Sequence, residues 1–159
     1  YNIVMSEPEE WTRCIRCNFV GNYDADLDCF VRKLGLERYV KLLPPLVYAD
    51  CLSFISTCDM VLIVEAICDE GIYMPTKFVD SLQCGLPVFC VSPHEGTLKD
   101  MVNKYGVGYY CDNTSVKDIE VSLRKAITDF HAKQLPQINK ENLTYFFEND
   151  IVAQFNSIL

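Results

Sequence analysis

Short apolar runs alternate with amphipathic segments along the chain, and this alternation gives the first structural prediction. The apolar runs predict strands at Ile15–Val20, Tyr39–Leu43, Met60–Glu65, Val88–Val91 and Val107–Tyr110. The segments between them carry apolar residues at helical spacing and predict helices at Asp26–Leu34, Ala49–Thr57, Pro75–Cys84, Thr97–Tyr105 and Ser115–Phe130. Strands that alternate with helices are typical of a parallel sheet covered by helices. We therefore expect an α/β, Rossmann-like fold in which a parallel sheet has helices on both faces.

The residues at the ends of the predicted helices agree with these boundaries. Gly35 and Gly85 each follow a helical segment, at the place where a left-handed C-terminal cap is favoured. Thr97 and Asp100 resemble a capping box at the start of another helix. At the end of the chain, 139–159 has apolar residues at helical spacing and predicts one or two closing helices.

Length, composition and charge limit the classes of protein to consider. With 159 residues, of which 50% are hydrophobic, the chain is long and apolar enough to form one domain over 1–159 with a real core. No apolar run approaches the roughly 20 residues that a membrane-spanning helix needs. The net charge of −8 and the pI near 4.7 disfavour nucleic acid as a partner, because they repel a phosphate backbone.

The cysteines indicate a reducing, cytoplasmic environment. There are nine, which is an odd number, and Cys51, Cys58 and Cys84 lie within apolar patterns typical of buried free thiols. Cys14 and Cys17 have the spacing of half a zinc site, but no second pair with matching spacing follows. We therefore expect thiols at these positions, and neither a metal nor any other cofactor.

The most informative segment is the loop before the helix predicted at Pro75–Cys84. In an open parallel sheet, ligands bind where loops leave the carboxyl ends of the strands. Pro75 suits the first position of this helix, and the N–H groups that follow it make an anion site for a diphosphate. Lys77 can supply positive charge, and an ionised Asp80 can accept hydrogen bonds from both hydroxyls of a ribose. Spacing alone leaves open the alternative of a surface Lys–Asp pair with little energetic value.

A resemblance to a known family favours the binding role. The stretch from Pro75 to Val88, PTKFVDSLQCGLPV, resembles the Pro-x-Lys-x-x-Glu-x-x-x-x-Gly-x-Pro-Val stretch of retaining GT-B-fold glycosyltransferases, in the family-four-like group called glycosyl transferases group 1. Phe19–Gly21 resembles the F-x-G strand ending of these enzymes. Gly96, Gly106–Gly108 and Asp112 resemble their later G…GxG…D pattern, so that the resemblance covers roughly residues 15–130.

The resemblance implies the C-terminal, donor-binding half of a hexosyltransferase that uses a nucleotide-diphosphate sugar. It implies that Asp80 binds the ribose. Separately, His94 lies in a loop that leaves the carboxyl end of a buried strand and so faces the cleft, which makes it a candidate contact for the sugar, with a structural role as the alternative. The diphosphate would be bound by Gly71, Ile72, Tyr73, Met74, Pro75, Thr76 and Lys77. The base would lie against the backbone of Lys41, Leu42, Leu43 and Pro44.

The resemblance is incomplete in two respects. The family has paired glutamates, whereas here Asp80 replaces one of them and Ile72 stands eight residues earlier in place of the other, with Glu70 nearby as a loose substitute. The basic residues that neutralise the leaving diphosphate and the N-terminal acceptor domain would lie upstream of Tyr1, so we expect a fragment whose catalytic residues are unknown. Because electrostatic catalysis needs both walls of the cleft, the fragment is expected to bind the donor without transferring its sugar.

Two alternative functions stay open at this point. One is a nucleotide-sugar epimerase of the same fold, and the other is a noncatalytic α/β regulatory or interaction module. For the full-length protein, the resemblance implies polysaccharide or glycolipid assembly at the inner face of a bacterial membrane. A saccharide or glycolipid acceptor would bind through the N-terminal domain, and contact with the membrane would be peripheral.

Overall fold

The computed structural model describes residues 1–139, 141, 143 and 146, and the chain divides into two compact units, Tyr1–Cys51 and Leu52–Leu159. The first unit has two short helices, α1 (Asn2–Ser6) and α2 (Glu9–Thr12), followed by β1 (Cys17–Val20), α3 (Ala25–Lys33) and β2 (Val40–Leu43). The strands β1 and β2 pair in parallel, with Cys17 opposite Val40. The side chain of Asp24 caps α3 by accepting a hydrogen bond from the N–H of Leu27 at 2.9 Å.

The second unit contains most of the regular structure. The helix α4 (Tyr48–Ile55) crosses its boundary, and the remaining elements are β3 (Val61–Val64), β4 (Glu70–Gly71), α5 (Thr76–Gln83), β5 (Val88–Ser92), β6 (Glu95–Gly96), α6 (Thr97–Tyr105), β7 (Gly108–Asp112) and α7 (Val116–His131). The main sheet has the order β3-β5-β7, and each pairing is parallel. The two-residue strands β4 and β6 form a separate parallel pair.

The central strand β5 shows why this unit has helices on both faces. All five of its side chains are buried, and alternate residues point to opposite sides of the sheet. Cys90 packs on the face covered by Phe78 of α5 and Leu98 of α6, whereas Phe89 packs on the opposite face with Ala126 of α7. The predicted α/β fold with a parallel sheet is therefore confirmed, while the single domain over 1–159 stays a prediction.

The five strands and five helices predicted from the sequence are present, with small shifts at their ends. The predicted glycine caps are also present, since Gly35 and Gly85 have φ of 64° and 78°. At Gly85 the N–H donates to the carbonyl of Leu82, and the next N–H donates to that of Ser81, which is a Schellman motif. The helices α1 and α2 were not predicted, because neither is long enough to show a hydrophobic period.

Two predicted helix starts are wrong in detail. Pro75 is the N-cap of α5 and not its first residue, because its ψ of 136° is extended. The capping box of Thr97 and Asp100 does not form, because the N-cap of α6 is Gly96 and Thr97 is already helical. The predicted closing helices at 139–159 fall mostly outside the described residues. Within that segment the structure describes 139, 141, 143 and 146, and it buries Leu143 and Phe146 against α5 and α6.

Candidate functional site

The carboxyl ends of the three parallel strands of the second unit place polar residues at one edge of the sheet. Glu65 follows β3, Pro93 and His94 follow β5, and Asp112 ends β7 with Asn113 after it. This is the edge at which ligands bind in open parallel sheets. The helix α5 connects β3 to β5 in a parallel crossover, so its N-terminus lies at the same edge.

The loop 65–74, hereafter the donor loop, is joined to the loop after β5 by the short pair of strands β4 and β6. Gly71 lies opposite Gly96 in this pair. A Cβ atom at Gly96 would lie 2.5 Å from the carbonyl oxygen of Gly71, and the φ of Gly96 is 147°. The two backbones can therefore approach only because position 96 is glycine.

The start of the donor loop is fixed by a side chain from the end of β7. The side-chain Nδ2 atom of Asn113 donates to the backbone carbonyl oxygens of Glu65 at 3.3 Å and Ala66 at 3.1 Å. The side chain of Glu65 folds beneath the loop, where a Cβ atom at Gly71 would lie 2.8 Å from its Oε2 atom. The donor loop is thus held at its start by Asn113 and near its middle by Gly71 and Gly96.

Two buried acceptor atoms lie in this arrangement. Within the described part of the chain, Glu65 Oε2 and Asn113 Oδ1 are buried and have no hydrogen-bond partner. Burial raises the pKa of Glu65, because an ionised carboxylate is costly in a site of low polarity. When the carboxyl group of Glu65 is protonated, it is neutral and one of its oxygens becomes a hydrogen-bond donor. Protonation therefore lowers the cost of burying the Glu65 side chain.

The start of α5 has the features that the sequence predicts for an anion site, apart from the shift at Pro75. Among the described residues no side chain caps this helix start with a hydrogen bond, and Thr76 and Lys77 in the first turn are exposed. Asp80 lies one turn further along and is half-buried, whereas Phe78 and Leu82 are completely buried in the core, as predicted. The first turn of α5 therefore presents backbone N–H groups and an ammonium group to solvent.

The other candidate residues occupy different surroundings. In the donor loop Gly71 is buried, Met74 packs against the core, and Ile72 and Tyr73 are exposed. The residues Lys41, Leu42 and Leu43 form β2 in the first unit and Pro44 follows them, while the candidate diphosphate and ribose residues belong to the second unit. His94 is exposed at the carboxyl edge, with its Nδ1 atom 3.8 Å from Asp112 Oδ2.

Sequence reasoning did not single out Glu65 or Asn113 as residues of the site. The available signal was their position, because each directly follows or ends an apolar strand at the edge where ligands bind. A polar residue at such a position faces the site or its supporting loops. Their contact could not be foreseen, because 48 residues separate them along the chain.

The cysteines differ in how far they are buried. All nine cysteines are free, with Cys90 and Cys111 buried and Cys51, Cys58 and Cys84 half-buried. Burial raises the pKa of both Cys90 and Cys111 to about 12, so these thiols are unreactive. The described residues contain no group of three or more potential metal ligands. Nor do they include a helix with the length and apolarity required to cross a bilayer.

With this geometry in place, the class is that of α/β proteins with a parallel sheet covered by helices, a fold in which ligands bind at the carboxyl edge. The chain matches the family described as glycosyl transferases group 1 over residues 11–142, which is most of its length. The chain therefore belongs to this glycosyltransferase family. A search of curated proteins found no match to the chain.

Proposed function

We propose that the chain is the donor-binding half of a retaining hexosyltransferase and that it binds a nucleotide-diphosphate sugar without transferring the sugar by itself. The observation that carries this proposal is the PTKFVD segment, which begins α5 at the carboxyl edge of the sheet in a chain that belongs to a glycosyltransferase family. A glycine-fixed loop before a helix with no capping side chain is the kind of structure that binds phosphate groups.

The proposed roles divide the donor along its length. The donor loop from Gly71 and the first turn of α5 through Lys77 bind the diphosphate, and Asp80 accepts hydrogen bonds from the ribose. The backbone of 41–44 binds the base, and His94 contacts the sugar. The assignments for the diphosphate, the ribose and the base rest on the family resemblance, and the exposed first turn of α5 supports them. The assignment of His94 rests on its exposed position at the carboxyl edge.

In the full-length enzyme, the bond between the sugar's anomeric carbon and the diphosphate would break as an acceptor hydroxyl adds on the same face and gives its proton to an oxygen of the departing diphosphate. The bonding electrons leave with the diphosphate, so the negative charge there grows during the reaction. The N–H groups of α5 and the Lys77 ammonium group would stabilise that charge, which is electrostatic catalysis without a metal. The acceptor, a saccharide or glycolipid, would come from the N-terminal domain, in the cytoplasm or at the inner membrane face.

One observation favours a noncatalytic donor-binding module as the second candidate. Ile72 occupies the position of one of the family's paired glutamates, and its side chain is 62% exposed. An isoleucine cannot accept a hydrogen bond from a sugar hydroxyl, so the second candidate keeps nucleotide binding and loses transfer. Transfer assays on the full-length protein and its Ile72→Glu variant separate the two candidates. An enzyme transfers the sugar with Ile72 in place, whereas a module that has lost transfer through Ile72 is inactive and gains activity only in the variant.

Asp80→Ala tests the ribose contact. Each hydrogen bond to a charged group contributes about 1.5–3 kcal/mol. Loss of the carboxylate should therefore weaken the affinity for a nucleoside diphosphate by roughly 10- to 150-fold. Isothermal titration calorimetry with uridine, guanosine and adenosine diphosphates measures this loss, and Asp80→Asn is the control that keeps one acceptor and should lose less. Absence of binding by the wild-type protein at millimolar nucleotide would overturn the proposed function.

Lys77→Ala tests the diphosphate site through its salt dependence. The exposed ammonium group attracts the diphosphate at low salt, and its contribution falls as the Debye length shrinks from about 30 Å at 0.01 M to about 3 Å at 1 M. We expect the variant to bind a nucleoside diphosphate more weakly than the wild-type protein at low salt and equally well at high salt. Lys104→Ala, near the end of α6 away from the carboxyl edge, is the matched control and should leave binding unchanged.

A further inference from the structure

The backbone around His94 is fixed by side chains from two neighbouring elements. Lys99 of α6 donates from Nζ to the carbonyl oxygen of His94 at 2.7 Å, and the hydroxyl of Tyr110 in β7 donates to the carbonyl oxygen of Pro93 at 2.9 Å. Two consecutive peptide groups are therefore held by long side chains. The ammonium group of Lys99 also lies 5.7 Å from the ring centre of Tyr110, so the two side chains that bind this backbone make a cation–π contact with each other.

The imidazole ring of His94 faces a carboxylate that is itself fixed. Asp112 Oδ1 accepts hydrogen bonds from the N–H of Thr114 at 2.8 Å and from its hydroxyl at 2.7 Å, while Oδ2 lies 3.8 Å from His94 Nδ1. The hydrogen bonds from Thr114 lower the pKa of Asp112, and the charges of His94 and Lys99 lower it further. Asp112 is therefore ionised at neutral pH and offers only an acceptor to the ring.

This arrangement selects one tautomer of the neutral imidazole ring. A proton on Nδ1 faces the Asp112 carboxylate favourably, whereas a lone pair on Nδ1 would face a like charge. With the proton on Nδ1, Nε2 carries a lone pair and accepts hydrogen bonds. Such an atom binds a hydroxyl group and repels a phosphate oxygen, which has no proton to donate.

The position of His94 places this acceptor next to the donor loop. His94 directly precedes β6, and the pairing of Gly96 with Gly71 brings that short strand alongside the middle of the loop. The His94 side chain is 73% exposed, so its ring is accessible to a bound molecule. A diphosphate held by the loop and the start of α5 would therefore direct its sugar toward the region of His94.

We propose that His94 Nε2 accepts a hydrogen bond from a hydroxyl of the donor's sugar, and that Asp112 is a positioning residue that fixes the ring and its tautomer for this contact. The inference rests on the proposed donor-binding function and adds to it a hydroxyl-specific subsite. It assigns Asp112 to the recognition of the sugar and not to the binding of the nucleotide.

For each variant, the affinity for a nucleoside diphosphate is compared with the affinity for its sugar conjugate. The difference between the two gives the contribution of the sugar to binding. Calorimetry is carried out at about pH 8, where an ordinary imidazole is neutral, with uridine, guanosine and adenosine diphosphates and their glucose and mannose conjugates. In the wild-type protein at least one conjugate should bind more tightly than its nucleoside diphosphate. His94→Leu should reduce this sugar-dependent gain by about two- to tenfold, the value of one hydrogen bond, and leave the nucleoside diphosphate affinity unchanged.

Two conservative variants distinguish a sugar contact from a structural role. His94→Gln should retain part of the gain, because its amide oxygen can accept the same hydrogen bond. Asp112→Asn can still accept from Thr114 and should keep the melting temperature, but it can donate to Nδ1 and reverse the tautomer, so the gain should fall as in His94→Leu.

The possible results separate this inference from the proposed function. If nucleoside diphosphates bind but His94→Leu leaves the sugar-dependent gain unchanged, or no conjugate binds more tightly than its nucleoside diphosphate, the subsite does not exist and donor binding stands. If His94→Gln is no better than His94→Leu, or Asp112→Asn has no effect, the acceptor role is wrong. If no nucleoside diphosphate binds the wild-type protein, both the proposed function and the inference fail.

Discussion

At the scale of single residues, the buried carboxyl group of Glu65 makes the stability of the fold depend on pH. Burial raises the pKa of Glu65 in the folded state, so the unfolded chain, with a glutamate pKa of about 4.3, releases this proton first as the pH rises. From about pH 4.3 up to the folded pKa, the folded state therefore holds more protons and loses stability with rising pH. Above that window the cost of ionising Glu65 in its buried site is present in full.

Glu65→Gln removes this cost while it keeps the shape of the side chain. We expect the variant to be more stable than the wild-type protein above the window and to lose less stability between pH 4 and neutral pH. Urea unfolding followed by circular dichroism over a series of pH values gives both free energies of unfolding. If the free energy of unfolding falls with rising pH as steeply in the variant as in the wild-type protein, Glu65 ionises in the fold as readily as in the unfolded chain.

A second residue-scale prediction concerns Lys133, which has a φ of 58° after the end of α7. Its N–H donates to the carbonyl of Phe130 and the next N–H to that of Asp129, the same Schellman pattern that Gly85 completes for α5. A left-handed conformation costs a non-glycine residue roughly 1–2 kcal/mol. Lys133→Gly should therefore raise the free energy of unfolding by about 0.5–1 kcal/mol after the greater entropy of glycine in the unfolded chain is counted. Lys133→Ala, which keeps the strain, is the control and should give no gain.

At the scale of elements, the sequence predicts the parts of the fold that depend on local pattern. The strand β5 is a continuous apolar run, and the helix α5 has buried residues at Phe78 and Leu82 with a glycine after its end, so both could be placed from the sequence. The pair of β4 and β6 could not, because two-residue strands carry no period and their partners are distant in sequence. That pairing also explains the wrong capping box, since it makes Gly96 the N-cap of α6.

The candidate site likewise has one part that the local sequence predicts and another that depends on contacts between distant residues. The position of the start of α5 follows from Pro75 and the helical pattern after it, and only its exact first residue was wrong. The anion site at this helix start stays a prediction. The supports of the site, which are Asn113 on the donor loop and Asp112 beside His94, depend on contacts between distant strands. A single sequence shows which residues lie at the carboxyl edge but not which of them touch.

The helix α7 protects the outer edge of β7, which pairs on one side with β5 among the described strands. Backbone groups of alternate residues point away from β5, and two of them bond to α7: Ser122 Oγ donates to the carbonyl of Tyr110 at 3.1 Å, and the N–H of Asp112 donates to Asp118 Oδ2 at 2.7 Å. Exposed strand edges pair with other chains, so these two side chains act against association.

Asp118→Ala in combination with Ser122→Ala should expose this edge. Loss of the charged hydrogen bond alone should lower the free energy of unfolding by about 1–3 kcal/mol, because the N–H of Asp112 then has no partner in the fold. The double variant should also associate as its concentration rises, which sedimentation velocity measures directly. Asp118→Asn with Ser122 intact keeps a side-chain oxygen that accepts from the N–H of Asp112 and keeps the hydroxyl that donates to Tyr110. Its association and stability should therefore match those of the wild-type protein. A double variant that shows no change in association would mean that something other than these two side chains protects the edge.

At the scale of the whole molecule, the hydrophobic core is distributed unevenly between the two units. In Tyr1–Cys51 the buried hydrophobic side chains are Ile3 and Val31, whereas the second unit contains two clusters around β5. A two-stranded sheet with so little buried apolar surface is marginally stable in water. We therefore expect a piece covering 48–159, which keeps α4 whole, to melt cooperatively and a piece covering 1–47 to show no cooperative transition by circular dichroism.

The same division makes it possible to separate recognition of the base from binding of the diphosphate. The proposal assigns the base to the backbone of Lys41–Pro44, which the piece 48–159 lacks, and assigns the diphosphate and ribose to Gly71–Lys77 and Asp80, which it keeps. Uridine, guanosine and adenosine diphosphates differ only in the base, so the piece should bind all three weakly and with equal affinity, whereas the whole chain should prefer one of them. Calorimetry on both proteins tests this, with Asp80→Ala in the shorter piece as the control for specific binding. A base preference retained by the piece would place base recognition within 48–159 and exclude Lys41–Pro44 from that role.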